Sequence, residues 1–512
     1  MDASDPTPRT RRSGVLLHPT SLPGRFGIGD LGPGARAFAD FLAAAGQSVW
    51  QVLPLVPTGY GDSPYQGLGA FAGNPLLVSP EALAAEGLLE PAELDGAPAD
   101  GPVDYGAVIA WKSARLTRAA ARFAARAAPD RRRALDGYRE ANAGWLDDFT
   151  LFLALKARHR GEAWTRWAPE LAARDPAALQ RARRELAGEV AAHAFAQFAF
   201  AEQWGALRRH CRSRGVELLG DLPIYVALDS AEVWAHRELF HVDAAGTPSI
   251  VAGVPPDYFS ATGQLWGNPI HRWEERRAAC TDFFVARARA ALALVDRLRL
   301  DHFRGLEGYW AVPAGAATAQ AGDWRPGPGA PLLQALEAAL GGLPLVAENL
   351  GVITPAVEAL RRRFGLPGMA ILQFAFGKDP QAPSFRPHAW TRDVVAYTGT
   401  HDNDTVLGWW ASDGAGDSTR TPEDVVREKG LARRYLATDG REMNWVMIRA
   451  LLASVADTAV VPLQDVLGLG SEARMNRPST AAGNWRWRFR STDLTPQLAA
   501  RLGELAALYG RA

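Results

Sequence analysis

The chain has 512 residues, long for one ordinary domain but within reach of a barrel that carries insertions. Its 56 basic and 56 acidic residues balance to a formal net charge of zero, which excludes a global basic field for nucleic acid or an anionic membrane. A hydrophobic content of 47% supports a substantial core, and two cysteines, Cys211 and Cys280, build neither a disulfide framework nor a zinc pattern. No apolar run reaches the roughly 18 residues of a membrane helix, so a cytoplasmic soluble protein is expected. Seventeen Trp residues hint at flat apolar binding surfaces beside ordinary core packing.

In chain order, the polar, Pro-containing run 1–13 reads as a disordered tail. GVLLHP (14–19) is an apolar run ending in a polar corner, where a first buried strand is expected. Phe38, Phe41, Leu42 and Ala45 recur at helical spacing over 35–46, with Gly46 as the stop. SVWQVLPLVP (48–57) predicts a second strand. It leads into a loop at 58–75 that is too long and too rich in Gly, Tyr and Ser to be a mere connector. Residues 79–189, dominated by Ala, Arg, Leu and Glu, predict a mainly helical inserted subdomain, with Arg131, Arg132 and Arg133 on a solvated face.

Phe200, Trp204, Leu207 and Cys211 then form one helical stripe closed by Gly215, which places Cys211 in the core. VELLGDLPIYV (216–226) predicts a third strand, and 227–280 reads as a second insertion, irregular and aromatic-rich. A helix over 281–297, capped by Thr281 and Asp282, feeds the strand LRLDHFRG (298–305). A Gly/Pro-rich loop and a helix at 331–340 precede the strand LPLVAENLG (343–351). There follow a helix at 354–365, the strand AILQFAFG (370–377) and the strand VVAYTGTHDNDT (394–405). A helix at 441–456, the strand TAVVPLQDVLGLG (458–470) and a helix at 495–509 close the chain.

Eight short apolar strands separated by helices or insertions point to a parallel sheet covered on both faces, as a (β/α)8 barrel or a doubly wound open sheet. Asp221, Asp301, Glu348 and Asp402 favour the barrel. Each stands at or just past the C-terminal end of a separate apolar run, where a barrel gathers its catalytic groups.

The densest of these ends is LRLDHFRG, with Arg299, Asp301, His302 and Arg304. Strand alternation turns Arg299 and Asp301 to one face, and a guanidinium beside a carboxylate favours its charged form. That suits a nucleophile, although a structural ion pair has the same signature. Glu348 follows an apolar strand with no adjacent cation, so burial should hold it protonated, as a general acid requires. Two carboxyls pushed apart by their surroundings fit work on a glycosidic bond better than an oxygen-ligand Mg²⁺ or Ca²⁺ site, which needs every ligand ionised. TGTHDNDT adds His401, Asp402 and Asp404. It lacks the Gly and distal Glu of a calcium loop, and reads as a turn held by Asn403 and Asp404 or as a third acid near a sugar.

RLDHFRG, VAENLG, YTGTHDNDT, GDLPIYVALDSAEVW and SPYQ…AFAGNP together resemble the 4-α-glucanotransferases (amylomaltases or disproportionating enzymes), with the motifs in family order and the similarity running from about residue 14 to 510. These form glycoside hydrolase family 77 of the α-amylase-like clan. The resemblance implies a (β/α)8 barrel with inserted subdomains, no separate C-terminal β-domain, and no required metal or cofactor. It implies retaining transfer of a 1,4-α-glucan segment to the 4-hydroxyl of another glucan or of glucose, with malto-oligosaccharides, amylose and starch- or glycogen-derived glucans as partners. By matching position it makes Asp301 the nucleophile, Glu348 the acid/base and Asp402 the transition-state stabiliser. Tyr65, Asp221, Arg299, His302 and His401 then line the subsite of the attached sugar. Ser63, Asp257, Phe259, Trp266, Phe374, Asn476 and Pro478 match positions bordering the cleft. A hydrolase of the same clan and a glucan-binding barrel without catalysis are the competing readings.

Overall fold

The computed structural model describes residues 11–256, 260–414, 420–478, 480 and 482–512. Among the described residues, twelve strands run in chain order as β1 (Arg12–Leu16), β2 (Val49–Gln51), β3 (Glu217–Pro223), β4 (Ile250–Val254), β5 (Gln264–Pro269) and β6 (Arg297–Asp301), then β7 (Gly308–Pro313), β8 (Asp323–Pro326), β9 (Leu345–Ala347), β10 (Gly368–Ile371), β11 (Val394–Tyr397) and β12 (Thr458–Pro462).

Eight of them form one all-parallel sheet in the order β10-β11-β12-β1-β2-β3-β6-β9. That is chain order wrapped on itself, and the two end strands approach through a 2.8 Å bond from Ala347 N to Pro367 O. The sheet is the (β/α)8 barrel expected from the spacing of apolar runs. Its interior holds Val49, Leu219, Val346, Ile371, Val395 and Val460, while Trp50, Leu218, Leu298, Leu300, Ala396 and Val461 pack outward against the helices. This two-faced burial explains why the strands read as continuous apolar runs. At β1 the neighbouring backbone is so close that a side chain on Gly14 would meet Val49 O at 2.2 Å.

Between β2 and β3 the chain builds helices at Pro80–Ala85, Tyr105–Arg126, Pro129–Ala141, Ala143–Arg158, Pro169–Ala172 and Pro176–Glu185 before the long helix Ala187–Ser213. Asp104, Asp175 and Ser79 cap three of them by accepting backbone N–H bonds. Cys211 and Cys280 are free and buried. Among the described residues no helix is long and apolar enough to cross a membrane.

Five expectations need correction. Strand β1 starts at Arg12, inside the run read as a tail, because Arg12 pairs in register with Thr458. The helix expected at 281–297 spans Arg277–Leu294, since the buried Cys280 begins its core-facing stripe one turn before Phe283 and Phe284; Thr281 and Asp282 lie inside it and cap nothing. The insertion at 227–280 is not irregular throughout, and the stretch before helix Gly329–Leu340 is not a loop. Strands β5, β4, β7 and β8 pair in that order as an antiparallel sheet that flanks the barrel mouth. Its partners come from both sides of β6 and their turns are long, so no hairpin signal marks them. Finally, Arg131 is only partly solvated: it forks onto Glu202 and reaches Glu86.

Candidate active site

The parity of β6 sets the centre of the site. Leu298 and Leu300 are buried against the helices, and Arg299 and Asp301 turn inward. The Arg299 guanidinium forks between two carboxylates, with Nη1 2.7 Å from Asp221 Oδ2 and Nη2 2.8 Å from Asp301 Oδ1. Asp221 stands directly opposite Arg299 in the β3–β6 register. Its Oδ2 also accepts from the Tyr65 hydroxyl at 2.8 Å. Burial pushes the Asp221 carboxyl up and the Arg299 charge opposes it. The Asp221 side chain has no exposure and that of Asp301 keeps 27%, so one carboxylate anchors the guanidinium and the other meets the cleft. Asp221, expected to line the sugar subsite, does not itself border the cleft, because its place opposite Arg299 turns it into the barrel interior.

Glu348 follows β9. Pairing between β6 and β9 continues past the strand ends, with Glu348 N bonded to Leu300 O and Phe303 N to Glu348 O, both at 3.1 Å. Glu348 Oε2 accepts from the backbone N–H of His302 at 2.8 Å. His302 is left-handed at φ 55°, a region that few non-glycine residues occupy and that is found at functional sites. Burial pushes the Glu348 carboxyl up to about 8, opposed by the Arg299 charge and reinforced by that of Asp301. Burial also lowers His302, to about 4, so its ring is neutral near pH 7. Its Nε2 is buried without a hydrogen bond among the described residues, and its ring meets Trp266 edge-on at 4.8 Å.

The third acid hangs from the turn after β11. Asn403 Oδ1 accepts from Thr400 N at 2.8 Å, and Asp404 Oδ2 accepts from Ser471 Oγ at 2.6 Å. Those two side chains therefore hold the turn, which leaves Asp402 facing the cleft with 44% of its side chain exposed. Asn476 Nδ2 donates to Asp402 Oδ1 at 2.7 Å, and Arg474 ties Asp402 O and Asn476 O together at 2.7 and 2.8 Å. His401 lies beside Asp402 at 3.4 Å and stacks on Tyr65 with ring centres 5.2 Å apart. Burial lowers its pKa despite the neighbouring carboxylate.

Ser63, Tyr65, Trp266, Arg299, Asp301, His302, Glu348, Phe374, His401, Asp402, Asn476 and Pro478 all border one open cleft of about 1480 Å³. That exceeds the roughly 300–1,000 Å³ of a drug-sized pocket and leaves room for several sugar rings. Ser63 caps the short turn that presents Tyr65, accepting from Tyr65 N at 3.2 Å. Phe374 packs edge-on against Phe385 at 5.4 Å. Asp257 and Phe259 lie outside the described residues. Among the described residues no group of three His, Cys, Asp or Glu side chains is disposed to hold a metal ion.

The structure adds groups that carried no role in the sequence reading. Gln66 Nε2 donates to Asn268 Oδ1 at 3.0 Å, joining the 58–75 loop to β5. Trp485 backs both Tyr65 and His401 at 5.9 Å. Gln66 sits in SPYQ and Arg474 two residues before Asn476, so nearness to those matched positions was their only signal.

The profile of the family described as 4-alpha-glucanotransferase matches residues 17–494. The 4-alpha-glucanotransferase of Thermus thermophilus is 50% identical over 504 residues, covering 97% of this chain and 98% of that protein. That of Synechocystis sp. is 48% identical over 506 residues, covering 98% of each. The solved amylomaltase from Streptococcus agalactiae, in complex with acarbose, superposes with a TM-score of 0.92 at 36% identity, covering 98% of this chain and 100% of that one.

Proposed function

The chain belongs to the 4-alpha-glucanotransferase family and has that activity, and from this premise we propose how its own residues carry the transfer. Asp301 attacks the anomeric carbon of a 1,4-α-glucan while Glu348, protonated near pH 7, gives its proton to the departing glycosidic oxygen. The bond to the leaving chain breaks as an ester to Asp301 forms. Glu348, now a carboxylate, takes the proton of an acceptor 4-hydroxyl, whose oxygen displaces Asp301 and restores the α-configuration. Asp402, held by Asn476, faces the positive charge that develops at the ring. The neutral His302 and His401 offer N–H donors to the sugar hydroxyls, and Trp266 offers a flat face.

One observation carries this reading. Three carboxyls from three strand ends border one cleft in unlike surroundings: one on a guanidinium, one pushed to about 8 by burial, one half exposed. Acarbose bound to the Streptococcus agalactiae relative supports a malto-oligosaccharide ligand for the same cleft. Starch- or glycogen-type glucans as donors, and glucose among the acceptors, belong to the proposal. So does a reducing, cytoplasmic setting, which two free thiols suit. The Gln66–Asn268 link couples the 58–75 loop to the antiparallel sheet, and the two together favour a sugar over water at the acceptor position.

Incubation of the pure protein with maltotriose tests this reading. A ladder of shorter and longer glucans with glucose, at constant reducing ends, is expected. Rising reducing ends would mean hydrolysis, and an unchanged mixture would mean a glucan-binding barrel.

A further inference from the structure

Arg304 closes the charged cluster of LRLDHFRG and has no part in the chemistry above. Its guanidinium lies over the Trp324 ring, 3.6 Å from the ring centre, and donates to the Val352 carbonyl. Trp310 meets the same ring at 64° with centres 5.1 Å apart, and is itself anchored by Nε1 on Ala319 O at 2.7 Å. One face of Trp324 is thus covered by a cation and its edge is braced by a second indole. The residue nonetheless keeps 39% of its surface exposed, against 7% for Arg304. Both border the active-site cleft.

The surroundings point to what would cover the free face. Single exposed apolar side chains are ordinary, whereas a group of them on one surface marks a binding site. Of the large hydrophobic residues exposed among the described ones, Tyr60, Leu265, Trp324 and Val352 border this cleft, and Ile109, Val426, Val455 and Leu508 do not. Leu265 and Trp324 sit on the two opposite outer strands of the antiparallel sheet and Val352 follows Glu348, so these side chains line the rim of the catalytic cleft. It is also distinct from the inner wall. Trp266 touches His302, whereas the ring neighbours of Trp324 among the described residues are Trp310 and Arg304.

We propose that Trp324, braced by Arg304, is a stacking platform for a glucose unit remote from the scissile bond, so that this residue sets the preference for longer glucan chains. The apolar C–H face of a pyranose matches the open indole face. A ring already immobilised by a cation and a neighbour has little freedom left to lose on binding, which makes the platform pre-organised. The inference rests on the glucan-transfer reading.

The test compares kcat/KM for maltotriose and maltoheptaose in the wild type, Trp324→Ala and Trp324→Tyr. Trp324→Ala should lose about tenfold with maltoheptaose, the equivalent of about 1.4 kcal/mol, and stay within about twofold with maltotriose. Trp324→Tyr, which keeps an aromatic face, should retain most of the preference and guards against a folding defect. Equal losses with both donors, or no loss with either, overturn the proposal. Calorimetric binding of maltoheptaose to Asp301→Asn and to the Asp301→Asn, Trp324→Ala double variant reads the platform without turnover, and a double variant that binds as tightly as Asp301→Asn overturns it as well. The wild-type product ladder from maltotriose reports separately on the underlying activity.

Discussion

Replacing Glu348 by Gln should abolish most transfer and at the same time stabilise the fold. The amide oxygen can still accept the His302 N–H bond that Glu348 Oε2 accepts at 2.8 Å, so the geometry survives and only the titrating proton is lost. In the folded protein the carboxyl holds its proton up to about 8, while in the unfolded chain it releases it near 4.5. Over that window the folded state binds more protons, so wild-type stability falls as pH rises, by about 1.4 kcal/mol per pH unit. At pH 7 this sums to roughly 3 kcal/mol for a group removed wholly from water. Glu348 keeps partial contact with the cleft, and screening there brings the expected gain to about 1–2 kcal/mol. Denaturant midpoints at pH 5 and pH 8 measure it. The two proteins should nearly coincide at pH 5, and the variant should lead at pH 8, with kcat reduced by roughly 10²–10⁴. A variant less stable than the wild type at pH 8, or a gap independent of pH, would refute the placement of a buried, protonated acid here.

The same proton sets the alkaline limb of turnover: kcat/KM on maltotriose should hold to about pH 8 and then fall about tenfold per unit, and a limb unchanged in Glu348→Gln residual activity would contradict it. Arg299→Lys should cut kcat by roughly 10²-fold or more with little change in KM. A point-charge ammonium cannot reach Asp221 at 2.7 Å and Asp301 at 2.8 Å together, and wild-type turnover would remove the fork from the mechanism. Tyr65→Phe strips a donor from the buried Asp221 and should cost about 1–3 kcal/mol of stability along with activity, which thermal unfolding and rates read side by side.

Much of the barrel was legible because its strands are buried on both faces. Leu298 and Leu300, or Val460 and Val461, have no polar face to hide their hydrophobicity, and four of the eight apolar runs end at or just before Asp221, Asp301, Glu348 or Asp402. The antiparallel sheet was not legible. In β5 exposed and partly buried positions give way to two buried ones, β8 is largely exposed, and their partners lie on either side of β6, so neither a sustained periodicity nor a turn motif announces them. At the site, the Arg299–Asp301 pair follows from alternation alone. Its third member could not: Asp221 meets Arg299 through the β3–β6 register, a long-range fact without local signature. The same holds for Asn476, whose bond to Asp402 spans 74 residues.

That shared guanidinium also bears on how one residue can serve as both acid and base. The charge of Asp301 is among the causes that raise Glu348, together with its burial. When Asp301 becomes an ester on the proposed path, that charge disappears while Arg299 stays, still paired to Asp221 at 2.7 Å. The balance around Glu348 then shifts towards its carboxylate, in the half-reaction where a base is needed to take the acceptor's proton. Asp301→Asn imitates the neutral state of the nucleophile without the sugar. In that variant the Glu348 carboxyl, followed by ¹³C-detected titration, should protonate at lower pH than in the wild type, where it stands at about 8. A midpoint that stays in place or rises would show that burial alone sets the value, and that the proton cycle draws no help from the nucleophile's charge.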